Sequence, residues 1–248
     1  MGKVLRVEDL QKGQILNRVS FEMEQGELLA IMGPSGSGKS TLLYNVAGMD
    51  QPSGGRVWLN DTEITALTED EKAKLRLHRI GFIFQQMNMV ANLNILDNIL
   101  LPAMQANKKC RTRSKTELIE EARNLMQKLS ILGLEDRRIT QVSGGQLQRA
   151  CICRSLMNAP EIIFADEPTG ALNRSAATEV LDELVRINGD GVSVLMVTHD
   201  SKVASGCDRI LYLLDGRICD ELRLGKRTTG TERRREEAVN RWLAEMGF

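Results

Sequence analysis

Gly33, Pro34, Ser35, Gly36, Ser37, Gly38, Lys39 and Ser40 carry the spacing G-x-x-x-x-G-K-S. Glycines at these intervals let consecutive backbone N–H groups curl around a phosphate, and the helix that follows turns its positive end toward it. Lys39 supplies a full charge for the β and γ oxygens, the Ser40 hydroxyl suits Mg²⁺, and Thr41 extends the set of candidate phosphate-binding residues. A second feature is the apolar stretch 162–165, closed by Asp166 and Glu167. Neighbouring residues at a strand end point in different directions, so Asp166 can hold a Mg²⁺ shell while Glu167 orients and deprotonates an attacking water. A third is Ser143-Gly144-Gly145-Gln146 at the head of a helix predicted over 146–157. Ser143 is a good N-cap and the two glycines leave N–H groups open to an anion, with plain helix capping as the simpler role.

The elements that must position these residues follow from hydropathy patterning. Short β-rich runs come first, over 3–10, at Val19, Phe21 and Met23 with polar neighbours between them, and over 27–32. The glycine-rich turn ends the third run. Leu42, Leu43, Val46 and Ala47 then recur at helical spacing until Gly48, so the order is strand, loop, helix. Strands are predicted at 56–59 and 80–84, and an amphipathic helix at 115–132. The runs 162–165 and 192–198 are apolar without alternation, as parallel strands covered on both faces are, with a helix at 178–187 between them. The expectation is a parallel α/β core with a helical insertion at roughly 90–160. A linker is expected at 224–231, followed by a tail in which Ala238, Val239, Trp242, Leu243 and Met246 mark a short amphipathic helix docking on its own domain or on a partner.

Composition narrows the classes. The 33 Lys plus Arg are balanced by 33 Asp plus Glu, which argues against nucleic acid or any other polyanion as the partner. No run approaches 18 apolar residues and the first ten residues lack an apolar signal core, so the chain is expected to be soluble and to stay inside the cell. Five cysteines with no C-x-x-C pair suit a reducing compartment and are expected to be packing residues. Arg233, Arg234 and Arg235 are flanked by Glu232, Glu236 and Glu237 and read as a solvated helix face. His78, in a charged run, reads as a surface residue.

The serine-glycine-glycine-glutamine turn, placed between the phosphate loop and the acidic strand, resembles the signature of the ATP-binding-cassette family of ATPases. The resemblance covers essentially residues 3–222. It implies an α/β fold: a P-loop NTPase core with a parallel sheet, an N-terminal antiparallel β subdomain and an inserted helical subdomain, over 1–224, with linker and helix over 225–248. By the same resemblance Gln85 is the Q-loop glutamine that touches Mg²⁺, Asp166 the Walker B acid, Glu167 the catalytic glutamate and His199 the switch histidine. ATP and Mg²⁺ are the implied cofactors. The implied partners are integral-membrane permease subunits and a second copy of the ATPase, two copies sandwiching two ATP so that residues 143–146 of one complete the phosphate loop of the other. Residues 31–43, 80–88, 164–172 and 197–200 look like the ATPase subunits of the macrolide-exporter and lipoprotein-release group, and most like bacitracin-type peptide-antibiotic exporters. That implies an ATPase at the cytoplasmic face of the cell membrane powering export of antimicrobial peptides or lipid-like substrates, or else transmitting a signal without transport. Two departures stand out. The family places an adenine-stacking aromatic near the end of the first strand, where this chain has Leu10 or Gln11, and its D-loop usually ends in aspartate, where this chain has Asn173.

Overall fold

Along β2 (Leu16–Glu24) the buried side chains of Val19, Phe21 and Met23 alternate with exposed Ser20, Glu22 and Glu24, so this strand has one wet face. In β3 (Leu28–Met32), β7 (Ile162–Asp166) and β8 (Ser193–Val197) every residue is buried, because apolar layers cover both faces. The computed structural model describes residues 2–110 and 112–247, except the side chains of Lys109 and Cys110. The other strands are β1 (Lys3–Lys12), β4 (Gly54–Leu59), β5 (Thr62–Glu63), β6 (Ile80–Ile83), β9 (Arg209–Leu214) and β10 (Arg217–Arg223). The helices are α1 (Lys39–Val46), α2 (Glu69–Arg79), α3 (Ile95–Cys110), α4 (Lys115–Lys128), α5 (Gly144–Leu156), α6 (Arg174–Gly189), α7 (Ser201–Ala204) and α8 (Glu232–Glu245).

Two sheets result. The first is antiparallel in the order β2-β1-β4-β5; the second runs β10-β9-β3-β8-β7-β6, parallel throughout except for the edge hairpin of β9 with β10. That hairpin turns on Asp215 and Gly216, both at positive φ (46° and 71°), the backbone that a two-residue turn between twisted strands requires. Side-chain alternation on β3 divides the interior. Leu29 and Ile31 join Val7, Leu42, Val57 and Phe164 in a core between the two sheets and α1. Leu28, Ala30 and Met32 join a second core under α3 to α8. The α/β fold expected from the resemblance is the one observed.

Three features go beyond the sequence reading or correct it. α2 lacks an apolar stripe, burying only Lys72 and Leu75; it begins with a Thr68–Glu71 capping box, three acids occupy its first turn and Arg76, His78 and Arg79 its last, matching the helix dipole. Cys151, Cys153 and Cys207 are packed as expected, but Cys219 is exposed on β10; Cys110 lies outside the described side chains.

The third concerns the tail. α8 docks on its own domain: Val239, Trp242 and Leu243 are buried, Trp242 meets Tyr212 edge to face, and its Nε1 donates to Asp220 Oδ2 at 2.8 Å. Arg235 is not on a solvated face, as Arg233 and Arg234 are. It is 7% exposed, and its guanidinium donates to the carbonyls of Ser205 (2.7 Å), Cys207 (2.6 Å), Leu224 (3.1 Å) and Gly225 (3.0 Å). The planar fork satisfies four main-chain acceptors at once, which compensates the desolvation of its charge. The stretch before α8 is tied as well, Lys226 to Asp208 and Arg227 to Asp182.

Arg235→Met keeps the bulk and removes every donor. Leaving buried carbonyls without partners should cost on the order of 2–4 kcal/mol, read as a lower urea midpoint at unchanged slope. A loss below about 0.5 kcal/mol, the level of an ordinary surface substitution, would show that water replaces the guanidinium freely.

Candidate functional site

The C-terminal ends of β3, β6, β7 and β8 lie side by side, and each delivers one part of the expected constellation, as parallel sheets do where they bind ligands. From β3 the chain enters residues 33–38, whose backbone only glycine can supply at key points. Gly33 has φ +151°, and a Cβ there would lie 2.0 Å from the carbonyl oxygen of Leu213 in β9. Gly38, at φ +100°, caps α1 and would meet the Ile15 carbonyl at 3.1 Å. Among the described residues the N–H groups of Lys39, Ser40 and Thr41 find no protein acceptor, and the buried Ser37 hydroxyl has no partner. A set of fixed donors at a helix N-terminus is a cradle for an anion.

Lys39 arches back over this loop, its Nζ donating to the carbonyls of Gly33 (2.9 Å) and Pro34 (2.8 Å). Burial pulls its pKa down, and the charges of Glu167 and Asp166 oppose that shift. The lysine is a desolvated cation poised between carbonyls and two acids. Asp166 is 3% exposed, and its Oδ1 accepts from Ser40 Oγ at 2.9 Å while its Oδ2 accepts from the Tyr44 hydroxyl at 2.8 Å. Burial, then Asp166 itself, pushes the Tyr44 phenol up to about 12. Ser40 and Asp166 thus form a pair of hard oxygen donors already in contact, which fits Mg²⁺: it binds through one or two carboxylates plus substrate phosphates. Among the described residues no cluster of three or more His, Cys, Asp or Glu suited to a metal occurs.

Glu167 turns away from its neighbour. Its φ of +46° is uncommon for a residue with a side chain, and it is held there by its N–H donating to the Val197 carbonyl (3.0 Å) and its own carbonyl accepting from Gly170 (3.0 Å). The carboxylate meets His199 Nδ1 at 2.8 Å, with the histidine ring 65% exposed and the carboxylate only 12%. The two adjacent acids therefore occupy different surroundings, as their two proposed roles need. A cavity of about 420 Å³ opens beside this pair, lined also by Arg174, Lys202 and, from α8, Glu236.

The remaining expected residues fall as follows. Gln85 lies in the exposed turn after β6, with its Nε2 3.8 Å from where a Cβ on Gly170 would stand, and no hydrogen bond joins it to Asp166 or Ser40. Ser143 caps α5 and forms a capping box with Gln146, N–H to Oε1 at 2.9 Å and N–H to Oγ at 3.2 Å. Gly144 and Gly145 face Leu172 and Ala176, and no hydrogen bond among the described residues joins 143–146 to the phosphate loop. Asn173 caps α6, Oδ1 accepting from Ala176 N–H at 3.0 Å, so it keeps the turn an aspartate would make. Leu10 is fully buried and cannot stack on a base, whereas Gln11, the other expected position, is half-buried beside Gly54. Sequence reasoning also missed Ile15: it is 49% exposed, and its Cγ2 lies 3.2 Å from the Cβ position on Gly38, beside the loop. It also missed Tyr44, whose four-residue spacing from Ser40 on a helix was the available signal.

Comparison with known proteins places these features in context. The family model described as ABC transporter matches residues 16–170. A macrolide export ATP-binding/permease protein, MacB, of Campylobacter jejuni is 40% identical over 218 residues, 88% of this chain and 33% of that protein. The chain thus spans about a third of the length of such relatives. The lipoprotein-releasing system ATP-binding protein LolD of Anaeromyxobacter dehalogenans is 42% identical over 205 residues, 82% of this chain and 84% of that one. Among solved structures, a dimeric ATP-binding cassette in a post-hydrolysis state with ADP and phosphate superposes with a TM-score of 0.81 at 35% identity, covering 89% of this chain and 98% of that one.

Gly33→Ala should displace the loop, because the added methyl and the Leu213 carbonyl cannot share their space. Combined strain and overpacking are expected to cost about 2–4 kcal/mol, seen as a lowered thermal midpoint. An unchanged midpoint would mean that the loop shifts freely and is not held by β9.

Proposed function

The chain belongs to the ABC transporter family, and from this premise we propose that it binds and hydrolyses ATP with Mg²⁺ as the energy-coupling subunit of an exporter. One observation carries the reading: Lys39, the Ser40–Asp166 pair and the Glu167–His199 hydrogen bond converge at the ends of adjacent parallel strands. The N–H groups of Lys39, Ser40 and Thr41 cradle the phosphates, and Lys39 exchanges its carbonyl partners for their oxygens. Ser40 and Asp166 would hold Mg²⁺, with Gln85 on the neighbouring turn, and the cation would supply neutralisation of the phosphate charge. Glu167 orients the attacking water and takes its proton, and His199 fixes the carboxylate and faces the γ-phosphate. The residues 143–146, of which Ser143 and Gly144 are exposed, lie apart from their own phosphate loop and support a head-to-tail dimer in which they close the partner's site; the solved cassette described above is itself dimeric.

The membrane partner in this reading is a permease segment, as in relatives described as ATP-binding/permease proteins. Among the described residues no helix is long and apolar enough to cross a membrane. A groove of about 540 Å³ between α2 and α3, lined by Met49, Leu77, Leu101 and Pro102, offers an apolar seat for a segment of a permease, which supports a subunit docked at the cytoplasmic face of the membrane. Export of antimicrobial peptides or lipid-like cargo is supported by relatives described as acting in macrolide export, syringafactin export and lipoprotein release.

Glu167→Gln keeps a partner for His199 and loses the base. Hydrolysis should slow on the order of a hundredfold or more, the usual size of a lost general base, and an ATP-bound dimer should accumulate in size-exclusion chromatography with Mg²⁺. A variant that stays monomeric and hydrolyses ATP at the parental rate would overturn the assignment.

Ile15 offers an aliphatic surface where a ring would stack, and aromatic stacking on a base is worth roughly 1–3 kcal/mol. GTP should therefore compete within a few-fold of ATP in titrations with a fluorescent nucleotide, and Ile15→Tyr should tighten ATP by about tenfold, equivalent to roughly 1.4 kcal/mol. A preference for ATP above about tenfold in the unmodified protein would point to a base reader elsewhere.

A further inference from the structure

We propose that Tyr44 is a positioning residue for the divalent cation, acting through Asp166. Ser40 and Tyr44 stand one helical turn apart on the same face of α1, and each gives its hydroxyl to a different oxygen of the buried carboxylate, at 2.9 Å and 2.8 Å. Rotation of that carboxylate breaks both bonds. The inference rests on the MgATP reading above, in which Ser40 and Asp166 hold the cation. The Tyr44 hydroxyl fixes Oδ2, and with Oδ2 held, Oδ1 stays turned toward Ser40.

The phenol is itself immobilised. Its ring stacks on Phe82 of β6, centroids 5.7 Å apart and planes 25° from parallel, and Phe82 in turn packs against Phe84 at 4.3 Å and Phe164 at 6.5 Å. A water in the same place could donate the same bond but would exchange and reorient. A tyrosine anchored in an aromatic cluster donates from one direction only. Groups that orient a metal ligand in this way change metal affinity while making no contact with the metal.

Tyr44→Phe removes the hydroxyl and keeps the ring. Affinity for a fluorescent ATP analogue, measured with Mg²⁺ and again in EDTA, separates metal-dependent from metal-independent binding. The gain given by Mg²⁺ should shrink on the order of tenfold while the affinity in EDTA stays at the parental value. Mn²⁺ titrated into the nucleotide complex and followed by electron paramagnetic resonance should weaken by the same factor. Phe82→Leu, which loosens the stack and keeps the hydroxyl, should lose only part of the gain, less than Tyr44→Phe loses. An unchanged gain in Tyr44→Phe, equal losses with and without metal, an equal loss in Phe82→Leu, or a Tyr44→Phe chain unfolded by circular dichroism would each overturn the proposal. If the unmodified protein binds no nucleotide, or gains nothing from the metal, the MgATP reading itself fails and this inference falls with it.

Discussion

The site depends on carbonyl oxygens pressed against residues that have no side chain. Leu213 O occupies the space a Cβ on Gly33 would take, at 2.0 Å, and Ile15 O does the same at Gly216, at 2.2 Å. The contacts interlock: Gly216 N–H donates to Ser37 O at 3.2 Å, and Gly216 O accepts from Asn17 N–H at 2.9 Å. The phosphate loop is thus held from outside by backbone from both sheets. Its N–H groups can remain directed at a ligand because main chain, and not a packed interior of its own, sets its shape.

Around that loop the parallel sheet sorts charge. β7 and β8 are buried along their whole lengths, so polar groups can emerge only where the strands end. Two consecutive residues at the end of β7 then diverge: Asp166 goes inward to Ser40 and Tyr44, and Glu167, through its left-handed backbone, goes outward to His199. Lys39, with its charge destabilised by burial, lies within electrostatic reach of both acids. Each group is held by hydrogen bonds that a ligand of complementary charge could replace.

Much of this was legible in the sequence, because a glycine-rich loop between an apolar strand and a helix, and acids closing a second apolar strand, are local patterns with local causes. What escaped had causes elsewhere in the chain. In β1 the pairing register shifts between Val7 and Leu10, and Asp9 adopts φ 47°, so the pleat changes phase and Leu10 turns into the core where alternation counted from Leu5 and Val7 would leave it outside. α2 shows no apolar period because capping and end charges define it. Arg235 sits among three arginines that are alike in sequence, and only the carbonyls of residues 205–225, brought beneath α8 by the fold, distinguish it from its neighbours.

The externally held loop bears on the thermodynamics of recognition. Fixing backbone costs roughly 1–2 kcal/mol for each residue, and flexible glycines lose the most freedom. In a loop of free glycines that loss would fall due whenever a ligand arrived. Here β9, the β1–β2 turn and the β9–β10 turn impose the conformation when the chain folds, so the entropy has already been spent before any anion is met. Preorganisation of this kind leaves the favourable enthalpy of charge-assisted hydrogen bonds largely unopposed, and lets a small, strongly hydrated ligand be held by a surface that hardly moves to receive it.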